Sequence, residues 1–519
     1  MRSPREIELK LVGDGPDLTS LASHPLLRDD DATTSLLDTT YLDTADRSLH
    51  AAGLSLRLRR EGGRTIQTLK SAAPAAIGLF DRGEWESDVA GPEPDLALLA
   101  DTPAAALLDE AGAHALRPLF RTVIGRSRRA IRHGGSGIVA TLDAGRVETD
   151  QGDVPLYEVE LELADGDPAD LFSLAKALGE SAPLRLGVLS KGEQGYALID
   201  ERLRKPSKAA GFHLDPETPA GDAFAAVAKA CLRHLRLNED VFRHDRAPEA
   251  LHQMRVALRR LRSAFSLFKP LLEQDETAEK LRAAIKRVTE PFGTARNLDV
   301  FLDETLPGEI ERRPDEPGLE DLRRRLAGER EEAYAAVFAV LDGPDWRALI
   351  LDLVVWIETG PWREGKSRER DRSARDFAAD VLERLRRRLK KRGRHLARLE
   401  PEERHRVRIV AKKLRYGAEF FGPLFPEKKA AKRHKAFVGA LSDLQNHLGA
   451  LNDLSTAHQI ADRLVAAGDT GSAEAPTGAT LFAAGLTTAD VQADARAARL
   501  VDKAEGAHGA LVDMRPFWR

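Results

Sequence analysis

The 519-residue chain holds one cysteine, Cys231, so no internal disulfide can staple it. Cys231 sits in an apolar, helix-like stretch, the context of a buried and inert thiol. Aromatic residues make up only 5% of the sequence, which supplies few platforms for stacked bases. No uncharged apolar run reaches the ~18 residues that mark a membrane-spanning helix, and the first residues carry no signal-peptide core. Nucleic acid and membrane are therefore poor partners, and the cytoplasm is the expected location.

What is present is charge, at 31% of residues, beside a hydrophobic fraction of 42% that suffices for sizeable cores. The length implies more than one domain. The net charge of −4 hides an asymmetry: residues 1–205 hold 24 Lys+Arg against 34 Asp+Glu, a balance of −10. The remaining 55 and 49 give residues 206–519 a balance of +6, which directs the second part toward a polyanion.

In the acidic part, Glu6, Glu8 and Lys10 alternate with Ile7 and Leu9, and Glu158, Glu160 and Glu162 alternate with Val159 and Leu161. As β-strands, both runs place carboxylates on one face and aliphatic residues on the other. Such carboxylates repel one another unless cations share their face. Arg57 and Arg59 alternate with leucines, as do Thr68 and Lys70 around Leu69. Arg82, Glu84 and Glu86 keep the same spacing, as do Arg126 and Arg128, and Asp143 closes another such run. Strands are expected near 5–12, 36–43, 53–60, 64–70, 82–88, 121–132, 137–143 and 154–163. Any one alternating pair is an ordinary solvated sheet face. Nearly every strand carrying both signs of charge fits a closed barrel with a charged lumen better.

The Glu6-x-Glu8-x-Lys10 start, Tyr41-x-Asp43-Thr44, Leu56 to Arg59, Thr68 to Lys70, Arg82 to Glu86, the late Glu158 to Glu162 strand and Ser190-Lys191 resemble the CYTH domain. This family is also called the triphosphate tunnel metalloenzymes, and the resemblance covers roughly residues 1–204. It implies an eight-stranded antiparallel tunnel whose cations hold a triphosphate and whose glutamates hold Mg²⁺ or Mn²⁺. By that resemblance, Glu6, Glu8, Glu158, Glu160 and Glu162 are the metal residues, with alternation leaving open which of the last three is a direct ligand. Lys10, Arg57, Arg59, Lys70, Arg82, Arg126, Arg128 and Lys191 form the triphosphate clamp. Glu84 and Asp143 orient groups within the tunnel, and Glu8, Glu160 and Lys191 carry catalysis. The chemistry is consistent: arginine grips phosphate bidentately, and oxygen ligands suit hard divalent cations.

Residues 205–219 are rich in breakers and read as a linker. Beyond them, helices are expected near 220–243, 247–269, 276–306, 319–341, 344–358, 370–397, 401–421, 430–465 and 488–511, with an Ala-, Gly- and Thr-rich loop at 466–487. His252, Arg255, Arg259, Arg260 and Arg262 match His405, Arg408, Lys412, Lys413 and Arg415 at a constant offset of 153. Positions 0, 3, 7 and 10 of a helix fall within about 80° of arc, so each copy forms a His-Arg-Arg/Lys-Arg stripe. Arg296, Asn297 and Asp299 after the first copy, and Asn452 and Asp453 after the second, extend the duplication, with repeats of about 220–358 and 374–519.

A single basic stripe is an ordinary solvated face; a duplicated one in register asks for more. Metal binding by the histidines is disfavoured by their cationic neighbours. This half resembles the CHAD domain, and the order of the two regions resembles bacterial CYTH–CHAD inorganic triphosphatases. The resemblance implies two pseudo-symmetric four-helix bundles that bind inorganic polyphosphate through both stripes, and association with polyphosphate granules. Lys412 and Lys413 depart from the first copy and lose bidentate grip. The expected fold class is thus α+β and multidomain, and the expected activity is hydrolysis of inorganic triphosphate. The alternatives are a non-catalytic polyphosphate-binding protein, or a tunnel enzyme acting on thiamine triphosphate or cyclising ATP.

Overall fold

A computed structural model of the protein describes residues 5–29, 31–72, 77–108, 116–211, 213–468, 480, 482, 485 and 491–519. Eight strands close into an antiparallel barrel. They are β1 (Arg5–Val12), β2 (Thr33–Asp43), β3 (Leu54–Glu61), β4 (Arg64–Ser71), β5 (Leu79–Val89), β6 (Arg117–His133), β7 (Ser136–Thr149) and β8 (Gly152–Asp165). The order is β5-β4-β3-β2-β6-β7-β8-β1, and β1 pairs back with β5. A two-residue strand, β9 (Arg185–Leu186), adds to β1 at Leu11 and Val12.

Period-two alternation decides what faces inward. In β1, Leu9 and Leu11 are buried outside the barrel, while Glu6, Glu8 and Lys10 line its interior. The register sets Glu6 opposite Arg82, Glu8 opposite Glu162, and Lys10 opposite Glu160. The strands β6 to β8 run longer than their alternation suggests. Gly134 and Gly135, at φ +61° and +102°, make the tight β6–β7 turn that a two-residue hairpin requires.

The apolar core lies outside this charged lumen. Helices α1 (Gly15–Ala22) and α2 (Pro168–Ser181) cover β1, β7 and β8, burying Leu18, Leu21, Leu171, Phe172, Leu174 and Leu178. Helix α3 (Lys191–Ile199) packs on β6 and β7. Gly195 allows that approach, since a Cβ there would stand 2.1 Å from the Phe120 ring.

The chain then turns helical: α4 (Ala220–Asp245), α5 (Pro248–Leu267), α6 (Glu276–Val288), α7 (Glu290–Val300), α8 (Pro317–Asp342), α9 (Pro344–Thr359), α10 (Ala374–Arg392), α11 (Pro401–Phe421), α12 (Lys428–Gly468) and α13 (Val491–Asp513). The single helix expected over 276–306 is broken at Thr289, because Pro291 lacks the N–H that a continuous ladder needs. The helix expected over 370–397 begins later, where Ser373 caps the Asp376 N–H, and stops before Gly393. Helices α10, α11, α12 and α13 pack in a ring as a four-helix bundle. The side chains of Asn452 and Asp453, and most of the expected 466–487 loop, lie outside the described residues.

Two compact units divide the chain. One comprises Met1–Lys208 with Leu232–Met254 and Leu341–Gly360; the other comprises Ala209–Cys231, Arg255–Val340 and Pro361–Arg519. Among the described residues, no helix is long and apolar enough to cross a membrane.

Candidate functional site: a charged tunnel and a cationic helix pair

The barrel encloses a cavity of about 590 Å³ whose lining includes Glu6, Glu8, Lys10, Arg57, Arg59, Lys70, Arg82, Glu84, Arg126, Arg128, Glu160, Glu162 and Lys191. Glu158 and Asp143 lie behind that lining, 1% and 0% exposed. The tunnel brings together every residue named for it from the sequence, but in distinct layers.

The deepest layer is a socket around one ammonium. Lys191 Nζ stands 2.9 Å from Asp143, 2.6 Å from Glu158 and 2.5 Å from Glu160. Lys10 reaches the same Glu158 and Glu160 oxygens at 2.9 and 3.0 Å. Arg126 grips Asp143 bidentately at 2.7 and 2.6 Å and touches Glu160 at 2.9 Å. Burial disfavours charge on Lys10, Arg126, Lys191, Asp143 and Glu160, yet the opposite charges win. Burial is thus outweighed at Asp143 by Lys191 and Arg126, and at Glu160 by Lys191 and Lys10, so both carboxyls are held below the ordinary range. Asp143, Glu158 and Glu160 converge closely enough to hold a metal ion. Lys191 already contacts all three, so the convergence is explained by the lysine.

A second layer pairs Lys70 with Glu6 at 2.8 Å and with Glu84 at 3.0 Å, and Arg82 with Glu6 at 3.0 Å. Against burial, Lys70 and Arg82 hold Glu6 below the carboxylate range. Glu8 is different. It is 3% exposed, its Oε1 has no hydrogen-bond partner among the described residues, and its nearest cations among them stand 3.8 Å (Arg82) and 4.0 Å (Lys10) away. Burial and then Glu160 push its pKa up to about 7. Burial followed by Glu6 and Glu84 raises Glu162 as well. These under-neutralised carboxylates are hard oxygen donors, and a divalent cation between them would supply the missing charge.

Arg57 stands 3.8 Å from Glu84, and Arg59 reaches Glu61 and Glu86 at 3.4 and 3.3 Å. Burial opposes the charge of Arg57, but Tyr41 and Glu84 raise its pKa; burial and then Arg57 lower that of Arg59. Arg128 lines the cavity near Glu162.

In the second compact unit, α5 and α11 bring the two stripes' cations together. Burial, then Arg259, Arg408, Arg415 and Arg255, push the Lys412 pKa down to about 7. Arg255 donates to the carbonyls of Phe292 and Gly293 at 2.6 Å each, and burial with Arg259 lowers it to about 10. Lys413 is separate: its Nζ is 2.9 Å from Ser266 Oγ, and burial with Arg388, Arg282 and Arg262 lowers it. Arg260 turns away, pairing with Glu419 and lying 4.8 Å over the Phe420 ring. His405 is exposed and His252 half-buried.

Comparison with known proteins places these two arrangements. Residues 4–196 match the CYTH domain, and residues 226–462 match the CHAD domain. The crystal structure of the CHAD domain from the plant Ricinus communis is 32% identical, with a TM-score of 0.50, over 59% of this chain and 96% of that one. The chain belongs to the CYTH–CHAD family. A Haemophilus influenzae protein named inorganic triphosphatase is 29% identical to it over 169 residues, which are 31% of this chain and 46% of that relative. The match thus spans less than half of the relative's length.

Several residues of this CYTH–CHAD protein's site escape sequence reasoning. Gln194 donates to Glu158 Oε1 at 2.8 Å, completing the socket. Its place three residues after Lys191 on one helix was the available signal. Arg282 and Arg388, beside Lys413, come from helices whose stripes carry no repeat and offered none.

Proposed function

We propose that the tunnel hydrolyses inorganic triphosphate to pyrophosphate and phosphate with Mg²⁺ or Mn²⁺, and that the helical region binds polyphosphate. The observation that carries this reading is a lumen in which clamp cations surround two under-neutralised glutamates, Glu8 and Glu162. Glu6, Glu8, Glu160 and Glu162 would hold the cation, whose chemistry is to neutralise phosphate oxygens and lower the pKa of a water. Arg57, Arg59, Arg126 and Arg128 grip the triphosphate oxygens, and Lys70 and Arg82 exchange Glu6 for phosphate. Lys191, held by three carboxylates, fixes the deepest phosphate against the attacking side. Glu158 and Asp143 act as its socket rather than as ligands.

An inorganic substrate is favoured because charged side chains make up most of the lining. Its aromatic residues, Tyr41 and Tyr196, are already stacked on Phe120 and His50, with ring centroids 4.5 and 3.8 Å apart. The cationic cluster around Lys412 supports polyphosphate as the second ligand. The test is a panel of tripolyphosphate, thiamine triphosphate and ATP with Mg²⁺ or Mn²⁺. Fastest release from tripolyphosphate, abolished by EDTA, supports the reading. Faster turnover of either organic triphosphate, or turnover surviving chelation, overturns it.

A further inference from the structure

We propose that Arg233 is a positioning residue for Lys191, so that helix α4 braces the floor of the tunnel. The catalytic consequence rests on the tunnel reading above; the bracing itself rests on geometry. Arg233 belongs to the same compact unit as the barrel. It lies outside the stretch matched to CYTH and inside the stretch matched to CHAD, so one family region supplies a support to the other's site.

The contacts form a short chain. Arg233 Nη2 donates to Glu193 Oε1 at 2.7 Å, and Nη1 donates to the carbonyl of Val188. The other oxygen of Glu193, Oε2, accepts from the Ser190 N–H at 2.7 Å, while Ser190 Oγ accepts from the Glu193 N–H at 3.2 Å. Glu193 is therefore shared: one oxygen closes the capping box of α3, and the other is pinned by a guanidinium. Lys191 is the first residue of that helix, and Gln194 stands one turn on. The first turn thus carries two of the groups that reach Glu158, Lys191 and Gln194, beside Lys10 from β1.

A capping box alone is a weak, local restraint that leaves the turn free to shift. On its inner side α3 lies close against the barrel: a Cβ on Gly192 would stand 3.0 Å from Ser55 Oγ, and one on Gly195 would strike Phe120. Arg233 is the charged grip from the other side, with its side chain 16% exposed. Fixing both Val188 and Glu193 sets the entry and the first turn of α3 together, which a single contact could not do. A displacement of about 1 Å at a site that fixes reacting groups can cost up to about 100-fold in rate.

The test uses the full-length protein with Arg233→Met, which keeps bulk but removes both donations. Labelling of Lys191 by trinitrobenzenesulfonate, read by peptide mass spectrometry, should quicken about fivefold or more as the turn loosens. On tripolyphosphate kcat should fall about tenfold with KM nearly unchanged, and Arg233→Lys should recover part of it. If Arg233→Met lowers the melting temperature, Glu193→Gln replaces it, since the amide oxygen can still cap Ser190 while the charged pair is lost. Unchanged labelling of Lys191 overturns the proposal whatever the activity. A wild-type protein that turns over no tripolyphosphate overturns the functional reading alone, and the labelling still judges Arg233.

Discussion

A buried lysine in the tunnel and a half-buried one on the helices suffer opposite fates. In the tunnel, Lys191 contacts three carboxylates, and its pKa is raised despite burial. On the helices, Lys412 faces Arg259, Arg408, Arg415 and Arg255, and its pKa falls to about 7. The difference is one of counter-ions. The tunnel carries its own, so under the proposed function a triphosphate would exchange with carboxylates, and a divalent cation would ease that exchange. The helix pair carries few, and a polyanion would bind there simply by replacing repulsion with attraction. A site rich in its own counter-ions can be selective; one dominated by cations is general and sensitive to salt.

The sharpest way to break this comparison is to remove one of the tunnel's carboxylate charges. Glu8→Gln or Glu160→Gln should lower kcat at least about 100-fold on a folded protein, because losing a ligand exceeds the about 10- to 100-fold cost of losing a ligand's support. The sign with pH follows from Glu8. With its pKa near 7, it becomes neutral as pH falls, so apparent Mn²⁺ affinity should weaken below about pH 7. Calorimetric titration at pH 6 and 8 checks this, and equal affinities would remove Glu8 from the metal site.

Next in size are the clamp arginines. Arg57→Ala or Arg59→Ala each deletes a charge-assisted contact worth about 1.5–3 kcal/mol, so tripolyphosphate affinity should drop about tenfold to 100-fold. Metal affinity should hold. Steady-state kinetics paired with metal titration separates the two effects, and unchanged kinetics would place both arginines outside the substrate path.

How much of this was legible beforehand depends on distance along the chain. Alternation placed Glu6, Glu8 and Lys10 on one face correctly, since period two is a local property of a strand. It could not separate Glu158 from Glu160 and Glu162, because Lys10, Lys191 and Gln194 decide that from remote segments. The helix repeat exposed the stripes, but not that Arg259 and Arg260 would part company. Adjacent helical residues lie about 100° apart, and only the packed neighbours reveal which side meets a carboxylate. Pro291 was a visible breaker that helical periodicity overrode.

Smaller effects are expected from the cationic cluster on the helices, where many cations share the work. Arg259→Gln combined with Lys412→Gln should weaken polyphosphate binding about tenfold at low salt, and the difference should shrink as salt rises. Lys412 adds a pH signature of definite sign. It is charged below about pH 7 and loses charge above, so wild-type affinity should fall as pH rises and the double variant should lose that dependence. Binding at pH 6 and 8.5, at two salt concentrations, is the measurement. A wild-type affinity that is flat with both pH and salt would mean the cluster is not the binding surface.

The smallest expected effect is at Arg260, and it tests whether pairing, rather than position, is what separates the two regions. Arg260 neighbours Arg259 in the repeat and matches Lys413, so sequence counts it among the polyphosphate residues. In the structure it behaves like a tunnel arginine: Glu419 neutralises it, and the Phe420 and Tyr416 rings lie 4.8 and 5.7 Å beneath it. A guanidinium already paired and stacked has little left to offer a phosphate chain. Arg260→Met should therefore cost about 1–3 kcal/mol of stability through the broken ionic hydrogen bond, while polyphosphate affinity changes less than about twofold. Thermal melting and a binding isotherm on the same preparation decide it. A loss of affinity as large as that of the Arg259 and Lys412 double variant would show that the helical region recruits paired cations too, and the contrast with the tunnel would fail.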